Sequence, residues 1–203
     1  MLGSVDQIEP RTVTVIGAGV AGKEAIKKAI STGAKVNILD LSEAKLTDLE
    51  AKFGSNNIKY LISSEEKIIE SISSSDLVIG SVYVVGKEAP KVVTKEMLSE
   101  MKPGSVMVDI SIDQGGCFET SKPTTHDNPI YKVEDVTHYC VTNMPGAVPL
   151  TSTLALNEAT LPFIEEIVKS GLSKSLSDNE HLAAGVNIMD GKIIHPAIKE
   201  ALN

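Results

Sequence analysis

The chain has 203 residues, 42% hydrophobic and 23% charged, the composition of a soluble globular protein with room for one large domain or one domain with an appendage. Aromatics are only 3% and Trp is absent, which argues against a stacking platform for single-stranded nucleic acid, and a net charge of −8 argues against a phosphate backbone as partner. No apolar run is long enough to span a bilayer, no signal peptide opens the chain, and Cys117 and Cys140 lack CxxC or metal-ligand spacing, so free thiols in the cytoplasm are expected.

Taken in order, TVTVIG (12–17) reads as a strand. VAGKEAIKKAISTG follows with helical spacing: Ala21, Ala25, Ile26 and Ala29 share a face, and Gly33 ends it. KVNILD (35–40) predicts a second strand, and LSEAKLTDLEAKFG (41–54) a helix with Ser42 as N-cap and Gly54 as stop. NIKYLI (57–62) reads as a third strand, SEEKIIESI (64–72) as a helix and DLVIGSV (76–82) as a fourth strand. TKEMLSEM (94–101) reads as a short helix capped by Thr94, and SVMVDISI (105–112) and THYCVTN (137–143) as the fifth and sixth strands. Strands alternating with helices indicate parallel βαβ units with right-handed crossovers and helices on both faces, and the connections read as too long for hairpins. After NMPGAVPLTST come only helical patterns (about 151–170, 178–184 and 195–202) and one hairpin signal, VNIMDGKII, with Asp190-Gly191 at its turn. The expected fold is α/β, a Rossmann-type doubly wound parallel sheet followed by a C-terminal helical appendage.

GAGVAG, from Gly17 to Gly22, fits GxGxxG between a strand and a helix. Gly17 permits the tight turn, Gly19 lets a pyrophosphate approach the main chain, and Gly22 lets helix and strand pack closely. The N–H groups that open the helix, at Val20 and Ala21, then face the negative charge. Asp40 ends the second strand, where a carboxylate accepts from adenine ribose hydroxyls; with Leu41 and Ser42 following instead of Arg, NAD is favoured over NADP. Lys45, on the next helix, is either an adenosine contact or a solvated lysine. Ser63 either approaches the adenine or caps helix 64–72, in competition with Ser64.

Asp113 stands at the carboxyl end of the fifth predicted strand, where open α/β sheets bind ligands. It could orient an amine or an attacking water, or take a proton; alternatively it caps turns around Gly115-Gly116. Asn143, ending the sixth strand, could fix a nicotinamide carboxamide or be a turn asparagine, and Met144 is adaptable packing. His126, His138, His181 and His195 have no metal spacing, so no metal site is expected. Neither a G-x-S-x-G elbow nor a Walker A pattern is present.

Together, GAGVAG, ILD, DLVIGSVYVVGKEAPKVV, VDISIDQGGCFETSKPTTHDNP and HYCVTNMPGAVPLTSTLALNEATLP resemble the alanine dehydrogenase family over nearly the whole chain. IDQGGCFE and NMPGAVP are far more specific than the glycine motif; the related transhydrogenase subunit differs where IDQGG stands. The resemblance implies NAD-dependent oxidative deamination of L-alanine to pyruvate and ammonium. It makes Asp113 the active-site aspartate beside the nicotinamide. It gives Asp40, Lys45 and Ser63 to the adenosine side, and Val82, Ile110, Val141, Asn143 and Met144 to the nicotinamide half. Leu150 departs from the basic residue that relatives carry there. The resemblance further implies a linker remnant at 1–10, an NAD-binding domain at 11–146, and a helical segment at 147–203 that packs on an absent N-terminal substrate domain. That domain would hold the substrate, and the family forms hexamers, so a homo-oligomer is expected. The competing readings are a non-catalytic NAD-binding module and a transhydrogenase-like subunit.

Overall fold

The computed structural model describes residues 1–84 and 88–202. Residues 85–87, inside the DLVIGSVYVVGKEAPKVV stretch, and residue 203, at the end of the expected helical segment, lie outside the described residues. The described residues form two compact units, one of residues 1–84 with 88–142 and one of residues 143–202.

In the first unit β1 (Thr12–Ile16), β2 (Lys35–Asp40), β3 (Ile58–Ile62), β4 (Leu77–Gly80), β5 (Val106–Asp109), β6 (Ile130–Val133) and β7 (Val136–Tyr139) make one sheet in the order β3-β2-β1-β4-β5-β7-β6. All neighbours are parallel except β6 and β7. The chain runs outward one way from β1 through β2 to β3, and the other way through β4 and β5, so the order reverses between β1 and β4. Helices α1 (Val20–Ser31), α2 (Glu43–Phe53) and α3 (Glu65–Ser73) connect the first strands.

Side chains alternate along each strand, and both faces are apolar. Val13, Val15, Val36 and Ile38 pack with Ile26 and Ala29 of α1 and Leu46 and Leu49 of α2 in one core. Leu39, Val78 and Met107 pack with Ile68 and Ile72 of α3, Leu98 and Phe118 in the other. A polar network sits inside: Thr14 Oγ1 and Ser75 Oγ share a hydrogen bond of 2.6 Å, and Asn37 Nδ2 donates to Thr14 Oγ1 at 3.1 Å. Ser75 Oγ in turn donates to Ser71 O of α3 at 2.7 Å, which ties the network to that helix.

Several sequence expectations need correction. The buried face of α1 is Gly22, Ile26 and Ala29; Ala21 is exposed. The segment at 94–101 is a 3-10 turn over Glu96–Glu100 whose N-cap is Lys95, and the carboxylate of Glu119 accepts from Lys95 N at 2.7 Å. The fifth strand stops at Asp109 and Ile110–Gln114 forms a 3-10 turn, because the Asp109 side chain accepts from Ser111 N and turns the chain away from the ladder. The sixth strand is Val136–Tyr139; Val141 makes only an isolated bridge to Thr124. A hairpin joins β6 to β7 where none was expected, its turn made by Glu134 and Asp135 at φ 48 and 62.

The second unit begins with a 3-10 turn over Met144–Ala147, then α4 (Pro149–Ser170), α5 (Leu172–Asp178) and α6 (Glu180–Ala184). Strands β8 (Ile188–Met189) and β9 (Lys192–Ile193) form the expected hairpin around Asp190 and Gly191, both at positive φ, and α7 (Pro196–Ala201) follows. The expected helix at 178–184 is α6, capped by the Asn179 side chain, and α5 precedes it where no helix was expected.

Candidate functional site

A cleft of about 950 Å³ opens at the carboxyl ends of β1, β2, β4 and β5, all of it within the first unit. It sits where the strand order reverses, the place at which open α/β sheets hold ligands. Its floor is the glycine turn. Gly17 has φ 97, and a Cβ there would collide with the carbonyl of Ser81. A Cβ on Gly22 would strike the carbonyl of Gly17, so Gly22 sits beneath the turn. A Cβ on Gly19 would meet nothing within 4 Å; it would stand in the cleft, in space that a closely approaching ligand can fill. Gly19 caps α1 with no side-chain acceptor and no acidic residue follows in the first turn, so the N–H groups of Val20 and Ala21 suit an anion. These features fit a dinucleotide pyrophosphate.

At one end lie Asp40, Lys45 and Ser63. Asp40 is 8% exposed. Its Oδ2 accepts from Ala18 N at 2.7 Å and its Oδ1 from Ser42 N at 2.9 Å, tying the end of β2 to the glycine turn and to the start of α2. Each oxygen keeps a lone pair for a further donor. Lys45 Nζ stands 3.5 Å from both oxygens. Ser64, not Ser63, caps α3, accepting from Lys67 N; Ser63 N donates to Asp40 O and its residue borders the cleft.

At the other end lie Val82, Ile110 and Asp113. Asp113 is exposed in the turn after β5, and its carboxylate has no hydrogen bond or ion pair to another described residue. The strand-end carboxylate is Asp109 instead, fully buried and surrounded by donors. Sequence reasoning passed over it, although VDISID offered two acids four residues apart; only the one nearer the strand could be enclosed. It also passed over Tyr83, whose exposed ring borders the cleft, and Lys91, which holds the Gly115-Gly116 turn.

The remaining expected nicotinamide-side contacts are Val141, Asn143 and Met144. Val141 is fully enclosed. Asn143, at φ 53, and Met144 belong to the second unit, where they open its first turn. Among the described residues no group of His, Cys, Asp and Glu could hold a metal ion, and no helix is long and apolar enough to cross a membrane. Both cysteines are free and buried; burial and the Asp109 charge push the Cys117 thiol far up, so it stays protonated and is no nucleophile.

Residues 1–196 match the family model described as alanine dehydrogenase/PNT, C-terminal domain. The chain belongs to this family. Among alanine dehydrogenases, it is 50% identical to that of Halomonas elongata over 201 residues, covering 99% of this chain and 54% of the relative. It is 45% identical to that of Bacillus subtilis over 203 residues, covering 100% of this chain and 53% of the relative. Of solved structures, an L-alanine dehydrogenase superposes with TM-score 0.88 at 42% identity, covering 99% of this chain and 55% of that one. A transhydrogenase from Sinorhizobium meliloti superposes with TM-score 0.75 at 28% identity, covering 97% and 53%. The chain thus spans about half the length of the curated relatives it matches. The alanine dehydrogenase likeness extends through both units, and the α/β sheet is the Rossmann-type fold of that family.

Proposed function

We propose that this chain is the NAD-binding part of an alanine dehydrogenase. The overall reaction turns L-alanine, NAD and water into pyruvate, ammonium, NADH and a proton. One observation carries the reading: a single cleft at the strand-order reversal is bordered by the ribose-type acid Asp40 and by the exposed acid Asp113. Bound NAD would supply the hydride acceptor. Gly19 and the first turn of α1 would take the pyrophosphate, with Gly17 and Gly22 shaping the turn. Asp40 would accept from the ribose hydroxyls, and a 2′-phosphate would meet its charge at short range, which disfavours NADP. Lys45 and Ser63 would border the adenosine.

Val82 and Ile110 would line the nicotinamide half, and Val141, Asn143 and Met144 are assigned to it by resemblance. Asp113, beside that half, would accept a hydrogen bond from the substrate amine or the attacking water and carry the proton away. Lys45 is the sole cation among the described residues lining the cleft, and it faces Asp40. A seat for the alanine carboxylate is therefore assigned to a substrate domain outside these residues, in keeping with relatives about twice as long. A cytoplasmic homo-oligomer is part of the same reading.

The test is NADH fluorescence with the purified chain, followed by alanine turnover with NAD at alkaline pH. Saturable NADH binding, at least tenfold tighter than NADPH, is expected: half-exposed Lys45 at 3.5 Å offsets the Asp40 charge only in part, and the remaining repulsion with a 2′-phosphate is worth roughly 1.4 kcal/mol or more at this range. Asp113→Asn is expected to leave NADH affinity nearly unchanged. Any alanine turnover should fall by about 10²–10⁴, the range for losing a general acid–base group. Failure to bind NADH would sink the proposal. The likeness to a transhydrogenase favours one second reading, and hydride exchange from NADH to an oxidised NADP analogue without alanine would support that reading instead.

A further inference from the structure

Two charged side chains outside the cleft grip the turn that carries Asp113. Asp109 Oδ1 accepts from Ser111 N at 3.0 Å. Its Oδ2 accepts from Cys117 N at 2.8 Å and Phe118 N at 3.3 Å, and Ser121 Oγ donates to the same oxygen. Both ends of segment 111–117 therefore close on one buried carboxylate. On the opposite side Lys91 Nζ donates to the carbonyls of Gly115 at 2.5 Å and Gly116 at 2.6 Å. The peptide between Gly116 and Cys117 lies between the two charges. Its C=O meets the ammonium and its N–H meets the carboxylate, the orientation in which a peptide dipole is stabilised from both ends.

The backbone here has little stiffness of its own. Gly115 and Gly116 are at φ 83 and 75, where L side chains are strained, and a Cβ on Gly116 would come within 2.7 Å of Asp109 Oδ2. Gly115 is required by its positive φ and Gly116 by both its φ and the close approach, and the two also lose the most conformational freedom on ordering. Something must hold them. The flanking chain helps: Ala89 N donates to Gln114 O at 2.9 Å, Val92 N to Cys117 O at 2.8 Å, and Glu119 N to Val93 O at 2.9 Å. Lys91 lies in the middle of this lacing and is exposed, so it contributes nothing to either apolar core.

The geometry points to Lys91 as a positioning residue: with Asp109 it clamps the Gly115–Gly116–Cys117 turn and so preorders Ile110 and Asp113 for the nicotinamide half of a dinucleotide. This inference rests on the dinucleotide reading above. Lys91 does not line the cleft and acts through the turn alone. Without the clamp, the segment would have to be ordered by the ligand, and affinity for that half would fall.

The experiment compares the chain with its Lys91→Met and Lys91→Arg variants. NADH and ADP-ribose are titrated separately, because ADP-ribose occupies the adenosine and pyrophosphate regions without a nicotinamide. Amide hydrogen exchange of residues 111–118 is read in the same samples without ligand. With Lys91→Met, NADH affinity is expected to fall about three- to tenfold, the scale of one charge-assisted contact near a surface. ADP-ribose affinity should stay within about twofold, exchange at Gly116 and Cys117 should speed up, and Lys91→Arg should restore both readouts. Unchanged exchange overturns the clamp. Equal loss of both ligands also overturns it, since a general structural role would do that. A parent chain that binds neither ligand overturns the dinucleotide reading instead, while exchange still decides the clamp.

Discussion

His138 is completely enclosed between β5 and the chain around Thr120. Its Nδ1 stands 3.1 Å from Val136 O, an acceptor, so Nδ1 carries the proton and Nε2 accepts from the Thr120 hydroxyl at 2.8 Å. Tyr131 stacks on the ring at 5.0 Å. Burial lowers the pKa of this imidazole below its ordinary 6.5. The unfolded chain therefore binds a proton at a pH where the folded chain does not. The contribution to stability is intact above the unfolded value and is lost as pH falls through about 6.5 towards the lower folded value. Thermal melts should show the parent losing stability between about pH 7.5 and 5.5, and His138→Gln losing less over the same window. Parallel pH profiles for the two proteins would refute the assignment. A similar economy of partners explains why Asp40 was readable and Asp109 was not. Asp40 follows a strand and a known turn motif, whereas the enclosure of Asp109 depends on a chain reversal eight residues later.

The β6–β7 hairpin is the element that periodicity missed. Its two turn residues, Glu134 and Asp135, both sit at positive φ, the geometry of a two-residue turn that prefers Asn-Gly. Two acids carry no such signal, and a left-handed Glu is strained. Replacing the pair by Asn-Gly should therefore stabilise the chain by about 0.5–2 kcal/mol, seen as a raised melting temperature. The bond from Gly104 N to Asp135 O uses backbone only and should survive. An unchanged or lower melting temperature would mean that the acids have a compensating role. The hairpin also supplies an antiparallel edge to an otherwise parallel sheet, which leaves the exposed edge short. The fifth strand shows the opposite error. Alternation continues to Ile112, but a side chain that caps its own following N–H ends the ladder three residues earlier.

At the scale of the molecule, the long helix α4 stands out because none of its 22 residues is buried. Leu154, Leu161, Ile164 and Val168 are 60%, 51%, 55% and 78% exposed. Their helical spacing makes an apolar stripe that water solvates poorly. The chain alone should self-associate, and Leu154→Gln with Leu161→Gln should shift it towards monomer in light scattering. A monodisperse parent chain that unfolds cooperatively at high temperature would count against this. Leu150, 73% exposed in the first turn of α4, adds to the same stripe of unpartnered apolar residues.

By itself the sequence determined the α/β alternation, the glycine turn, the acid that ends β2 and the resemblance carried by IDQGG and NMPGAVP. These are local signals: period, caps, glycine spacing and short motifs act within a few residues of one another. The tertiary structure alone decided the strand order, the single cleft that spans Asp40 and Asp113, the enclosure of Asp109 and the grip of Lys91 on Gly115 and Gly116. Each of these joins segments that are far apart in the chain or turned back on themselves. The reason is physical: a buried charge or a strained glycine is tolerable only when distant groups converge on it, and convergence is a property of the packed fold.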